Sequence, residues 1–416
     1  MMPRINRLAA GLALAGSFNL AHAAGFALIE QNASGLGNAY AGQAASAQDA
    51  STIFFNPAGM TMLPDRQLVA AGHLIVPQAE FTASAPPTIT IPGVNNGGNG
   101  GDAGGLAFVP NAYYAMRLGN GLHFGVGMNA PFGLATEYDR TWVGSTHAVK
   151  SELKTINLNP SLAWKVSDAM SLGAGVSVQY AEATLTNALA NGAIAKVKGD
   201  DYSFGVNVGA LWKLSGGTRI GLAYRSEVDY TLEGDFTSSD SPTANSVTAD
   251  ATMPDSASLS VFHRIDNRWD LLADVTWTGW SDFEELRILT LAGTTLTVTP
   301  ENWSDSWRYS VGVNYHYSDV LTFRAGVAYD ETPVSDAFRT ARIPDESRTW
   351  LALGARYQLS PKAALDVGYA HLFVEDARVG ETRTVQTGPA TFVPVTLTGN
   401  YDASVDILSA QLTLNF

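Results

Sequence analysis

The chain has no cysteine, few charges and, beyond its N-terminus, no long apolar run, and each absence removes a class of function. Without cysteine there is no disulfide framework, no thiolate metal site and no cysteine nucleophile. Charged residues make up 15% of the 416, and the basic ones are scarcer, 25 against 39 acidic, for a formal charge of −14. Binding nucleic acid requires clustered Lys and Arg on phosphates, so DNA and RNA are excluded as partners. A membrane-spanning helix needs ~18–20 consecutive apolar residues, which the chain lacks past its first residues. The histidines at 73, 123, 147, 263, 316 and 371 fall in no spacing that pairs with a nucleophile, so no enzyme, cofactor or metal is read from the sequence.

What the chain does have is 46% hydrophobic residues, 40 glycines and a mean hydropathy near zero. Met1 to Ala23 reads as a secretory signal peptide, with Arg4 and Arg7 as the basic end, Leu8 to Leu20 as the apolar stretch and Ala21-His22-Ala23 as the cleavage site. Removing it leaves 23 basic against 39 acidic residues, a formal −16. From about Gln67 onward the dominant period is two, not 3.6. Leu172, Ala174, Val176 and Val178 alternate with Ser171, Gly173, Gly175 and Ser177, and Phe204, Val206 and Val208 alternate with Ser203, Gly205 and Asn207. Trp307 to Tyr317 and Leu321 to Tyr329 repeat the pattern. One face of each strand therefore meets an apolar medium and the other a polar one.

A soluble sandwich would also alternate, so loop lengths arbitrate. Short turns fall at Gly119-Asn120, Ser167-Asp168, Ser215-Gly216-Gly217, Asp266-Asn267, Ser318-Asp319 and Ser360-Pro361. Longer irregular stretches lie near 83–104, 132–148, 189–195, 237–246, 292–305, 332–346 and 377–400. Short turns alternating with long loops, aromatics near strand ends, and a last strand ending at Phe416 predict an outer-membrane barrel. Thirteen connections make the fold an all-β, 14-stranded antiparallel transmembrane β-barrel spanning 66–416, preceded by a small N-terminal hatch at 24–65 that plugs the lumen. The hatch is too small for its own core and too apolar for a solvated tail, and a short helix is expected within it at Ala39 to Ala50.

Particular residues then carry a resemblance. Ala24-Gly25-Phe26, the stretch Ser34 to Gly42, Asp49-Ala50 with Asn56-Pro57-Ala58, Pro131 to Tyr138, Trp142-Val143-Gly144 and Ser151 to Thr155 are similar to the long-chain fatty-acid outer-membrane transporter (FadL) family. The resemblance implies that Asn56, Pro57 and Ala58 form a hatch motif. It also implies passive uptake of hydrophobic molecules, captured by extracellular loops and released sideways into the outer membrane through a gap at an inward kink in the third strand.

The residues themselves supply site candidates. Gly125, Gly127, Pro131 and Gly133 cluster in that third strand, where proline cannot donate to a ladder and glycine weakens one, marking a lateral opening. Phe26, Leu28, Phe54 and Phe55 are the apolar residues of the hatch expected to line a substrate pocket. Strand parity turns Arg225, Arg308, Arg324 and Arg356 inward with Glu227, Asp229, Asp274 and Asp366. Arg225, Arg324 and Arg356 are then candidates to hold a carboxylate, the other reading being an ion-pair network within the lumen. The substrate is read first as a long-chain fatty acid, second as an aromatic or alkane hydrocarbon, and third the chain is a general porin. The expected partners are these hydrophobic small molecules and outer-membrane lipid, and the chain is expected to be a monomer. The mature N-terminus should be Ala24: intact-mass measurement of the exported protein will show loss of residues 1–23, and a mass retaining Arg4 and Arg7 would refute export processing.

Overall fold

Segments that alternate in sequence form strands, and the strands close on themselves. The computed structural model describes residues 25–214 and 217–416; the expected signal peptide at 1–23 lies outside the described residues, as do Ser215 and Gly216 of one expected turn. Among the described residues the barrel has 14 strands. They are β1 (Arg66–Ala83), β2 (Ala107–Gly119), β3 in two pieces (Leu122–Asn129 and Gly133–Glu137), β4 (Lys150–Lys165), β5 (Met170–Ala188) and β6 (Ile194–Lys213). Four of the next five are also in pieces: β7 (Thr218–Arg225, Val228–Ser238), β8 (Ser241–Met253, Ser256–Arg264), β9 (Trp269–Thr278, Glu285–Thr290), β10 (Thr295–Pro300, Ser306–His316) and the continuous β11 (Leu321–Asp330). β12 (Arg348–Ser360), β13 (Ala363–Val374, Ala377–Gly388) and β14 (Thr391–Asn415) complete the wall. Each strand is antiparallel to the next, and β14 returns to β1 in register from Gln67↔Asn415 to Ala83↔Gly399. Closure leaves no free edge, which a sheet in lipid requires.

The outward face is apolar and unpartnered: Val176, Val206, Val208, Leu222, Val311, Val327, Leu353 and Leu412 are all exposed. A contiguous band of this kind is stable only against hydrocarbon. Aromatic pairs bound it. Tyr180 and Tyr202 sit with ring centroids 4.9 Å apart, and the Glu182–Lys198 ion pair lies just beyond them. No helix among the described residues is long and apolar enough to cross a membrane.

Three of the expected loops are corrected. Around 237–246, 292–305 and 377–400 much of the chain stays in strands, with tight reversals at 239–240, 291–294 and 389–390. In these hairpins polar residues occupy both faces, as Glu381 and Arg383 do on the same face as buried Val379 and Val385, so the period-two contrast fades although the ladder continues.

The hatch is built from single turns: α1 (Ala33–Leu36), α2 (Gln43–Ser46), α3 (Thr52–Phe55) and a 3-10 helix at Pro57–Met62. The helix expected at Ala39 to Ala50 is reduced to α2, because Ala39, Tyr40, Gly42 and Ala47 adopt left-handed conformations and reverse the chain. Helices this short do not hold themselves, and the wall holds them. Ala33 N–H donates to Gln411 Oε1 (3.0 Å), Ala44 N–H to Ser260 Oγ (3.1 Å) and Ala50 N–H to Gln67 Oε1 (2.6 Å). Close approach needs wall positions without a side chain: a Cβ at Gly221 would fall on the Ala44 carbonyl, and one at Gly326 on the Asn38 backbone. Gly326→Val should therefore weaken hatch seating by roughly 1–3 kcal/mol, the usual cost of overpacking. Gly380→Val, where a Cβ meets open space, should not. Heat-modifiable migration in detergent gels reads both, and equal midpoints for the two variants would show that the hatch is not seated through these glycines.

Candidate functional site

The wall is interrupted where proline enters it. β3 pairs with β2 only as far as Ala112↔Met128, and above that point residues 107–111 of β2 pair with β1 alone. On the other side β3 follows β4 to Asn129↔Asn157 and resumes at Gly133↔Lys154, so three residues, 130–132, stand opposite two. That is a one-residue bulge at a site where Pro131 has no N–H to give. Gly125 and Gly127 do not break the ladder. Both are paired in regular register, and their missing side chains leave room for Ile53 and Met60 of the hatch and for Tyr113. Gly133 opens the resumed piece of the strand.

The start of the hatch takes up the unpaired backbone. Leu28 N–H donates to the Pro131 carbonyl and Gly133 N–H to the Phe26 carbonyl, both at 2.8 Å, with Ala27 bridged to Phe132. Gln31 Nε2 reaches the Ala130 carbonyl (2.9 Å) and Asn111 Nδ2 the Glu30 carbonyl (2.8 Å). The unpaired stretch between β2 and β3 is thus covered from within by residues 26–31.

Behind this closure lies a cavity of about 150 Å³. Leu28, Phe54, Phe55, Pro57, Pro131 and Phe132 line its apolar side. Phe26 stands beside it in an aromatic cluster, 4.6 Å from Trp280 and 5.6 Å from Trp303. Trp280, Phe283 and Trp303 come from the breaks in β9 and β10 and escaped the sequence reading. The signal for them is the run Trp277-Thr278-Gly279-Trp280, which interrupts the alternation. Asn56 fixes the turn at the hatch motif: its Nδ2 donates to the Ala44 and Ala210 carbonyls (2.7 and 2.9 Å) and its Oδ1 accepts from Ala58 N–H (3.1 Å).

The inward arginines separate into two kinds. Arg324 and Arg356 share Asp366, at 2.5 and 3.4 Å, and Arg324 also donates to Gln48. Arg225 and Arg308 instead line the cavity. Arg225 donates to neutral oxygens, Ser177 Oγ (2.9 Å) and the Phe54 carbonyl (3.0 Å), and lies over the Phe54 ring. Arg308 donates from Nη2 to the Ala39 carbonyl (2.8 Å), while its Nε and Nη1 are buried with no hydrogen-bond partner. Buried donors of a cation left unbonded are costly; Asp330 stands opposite Arg308 on β11 and lines the same cavity. Of the expected acids, Asp274 and Asp366 are buried, whereas Glu227 and Asp229 are exposed. The strand changes face between Arg225 and Val228, which simple parity could not foresee.

The sequence profile of the family described as outer membrane protein transport protein (OMPP1/FadL/TodX) matches residues 14–416. The long-chain fatty acid transport protein of Salmonella typhi is 31% identical over 87% of this chain and 90% of its own length. A crystal structure of a Pseudomonas aeruginosa FadL homologue superposes with a TM-score of 0.88 at 28% identity, over 94% of this chain and all of that one. The Pseudomonas putida toluene transporter TodX shares the fold, with a TM-score of 0.66 at 17% identity over 88% of this chain and 94% of that one.

One hatch residue carries a pH dependence. Glu30 is 2% exposed, with Oε2 unbonded, and burial pushes its carboxyl up to about 7 against the partial relief of a backbone bond and the charges of Arg348 and Arg308. Because the folded value lies above the unfolded one, hatch stability is greatest below about pH 4.5 and falls as pH rises through 7, by roughly 3 kcal/mol in all. Glu30→Gln should flatten that slope and raise the unfolding midpoint at pH 8. Parallel slopes for variant and parent in thermal unfolding between pH 5 and 8 would rule Glu30 out as the cause.

Proposed function

The chain belongs to the outer membrane transport protein family of FadL and TodX, and from that premise we propose that this outer-membrane barrel takes up long-chain fatty acids passively and releases them sideways between β2 and β3. One observation carries the choice of substrate: Arg308 presents buried, unbonded N–H groups to a cavity whose apolar side is formed by Leu28, Phe54 and Phe55 and whose polar side also holds Arg225 and Asp330. A carboxylate satisfies them, with Arg225 as the second cation, and the alkyl chain lies over Leu28, Phe54 and Phe55 toward the unpaired stretch of wall. Release into lipid is the downhill route, because each CH₂ returned to water costs about 0.8 kcal/mol. A filled lumen with Asn56, Pro57 and Ala58 at its floor speaks against a general porin.

A second reading has its own support. A cavity of about 150 Å³ is the size that takes a benzene ring, and the toluene transporter TodX has the same fold. A monoaromatic hydrocarbon would then fit whole and would need neither arginine.

Growth of a deletion strain on oleate and on toluene separates the readings; normal growth on oleate removes the first. In the complemented strain, Arg308→Met should raise the half-saturating oleate concentration about 10-fold, the worth of one charge-assisted bond, and leave toluene uptake unchanged. Pro131→Val with Gly133→Val should complete the β3 ladder and abolish oleate uptake in a barrel that still folds, and undiminished uptake would refute release at β3.

A further inference from the structure

β3 is not the place where the wall is most extensively unpaired. β6 and β7 are in register from Lys213↔Arg219 to Asn207↔Arg225, and again only from Asp200↔Glu233 to Ala195↔Ser238. Between them residues 201–206 face 226–232 across three bonds: Ser226 N–H to the Val206 carbonyl, Val206 N–H to Ser226 Oγ, and Thr231 N–H to Asp201 Oδ2, each 2.9 Å. Above Ser226 the strand leans into the lumen. Val228 lies against the inner side of β6, where a Cβ on Gly205 would come within 2.9 Å of it, and Tyr230 reaches past β6 to donate to Gln179 Oε1 of β5 at 3.2 Å. β8 bends with it, its ladder interrupted at Pro254, which has no N–H.

The two interruptions share one cavity and one ladder row. The cavity behind Leu28 and Pro131 extends to Tyr224, Pro254 and Ser256 beside the second break, and the pairing runs Asn129↔Asn157↔Gln179↔Ser203 from one break to the other. Outside, Tyr202 and Phe204 are each 67% exposed on the β6 edge, at and just below the aromatic boundary, and so face lipid. Exposed Glu227 and Asp229, with Asp255 bonded to Tyr224, ring the outer lip with negative charge.

We propose that the gap between β6 and β7 is a second lateral portal, shuttered by Val228 and Tyr230, that passes uncharged apolar molecules between the cavity and the membrane. Its acidic lip repels carboxylates, so hydrocarbons use it and fatty acids leave at β3. The proposal rests on the transport reading above and is tested apart from it.

The chain has no cysteine of its own, so the pair Gly205→Cys and Val228→Cys places a reversible lock across the gap. In the Pro131→Val, Gly133→Val background, cells should keep a tenth to a half of parental toluene uptake while losing oleate uptake. Oxidising the cysteine pair should bring toluene uptake down to that of cells lacking the protein, and reductant should restore it. No toluene uptake in the background, or uptake indifferent to the lock, would overturn the portal. Independently of any transport, a diazirine-bearing toluene analogue added to the purified parental chain in lipid vesicles should label Val228 and Tyr230, and the oxidised lock should cut the labelling of Tyr230 at least fivefold relative to the reduced pair. Labelling confined to outward residues such as Phe204 would also overturn the portal. Parental cells that take up neither oleate nor toluene would instead defeat the transport reading, leaving the labelling to decide the portal.

Discussion

Backbone amides and carbonyls must find partners without water inside a bilayer, and this constraint shapes every part of the molecule. Closure of β14 on β1 meets it around the circumference. Where the ladder fails at Pro131, it is met from inside, by carbonyls and N–H groups of Phe26 and Leu28 standing in for a neighbouring strand. The hatch is thus part of the wall at this interruption.

The same economy governs the interior. Glycines along the inner faces of the strands let the hatch backbone approach to van der Waals distance, and polar side chains such as Gln411, Ser260 and Gln67 then satisfy its short helices. Most inward charges are consumed in this work: Arg324 and Arg356 neutralise Asp366, and Arg339 is held by Asp336 and Glu346. Arg308 differs in that it donates only to the Ala39 carbonyl: Asp330 stands opposite it on β11 and lines the same cavity, but makes no ion pair with it.

The breaks in β7, β8, β9 and β10 extend this logic. They bring Tyr230, Trp280, Phe283 and Trp303 inward around Phe26, so the aromatic cluster that seats the start of the hatch is assembled from strands far from β3 in sequence. Any motion of the hatch start is felt at both interruptions of the wall, since Phe132 and Val228 pack into the same cluster.

Alternation of period two, the order of turns and loops and the terminal aromatic determined the barrel and its strand number from sequence alone, because lipid on one side and a packed lumen on the other enforce one pattern in every strand. The break at Pro131 was legible for a similar reason: a missing N–H is a property of the residue itself. Gly125 and Gly127 were misplaced in it, since a glycine can equally weaken a ladder or make room for Ile53, and only the seated hatch distinguishes the two. The hairpins at 237–246, 292–305 and 377–400 were illegible because polar residues on both faces erase the contrast that reveals a strand. Which arginine is left with bonds to make was decided by the tertiary structure, because parity places Arg225, Arg308, Arg324 and Arg356 alike inside. Whether an acid lies within reach depends on neighbours brought together only when the barrel closes around its hatch.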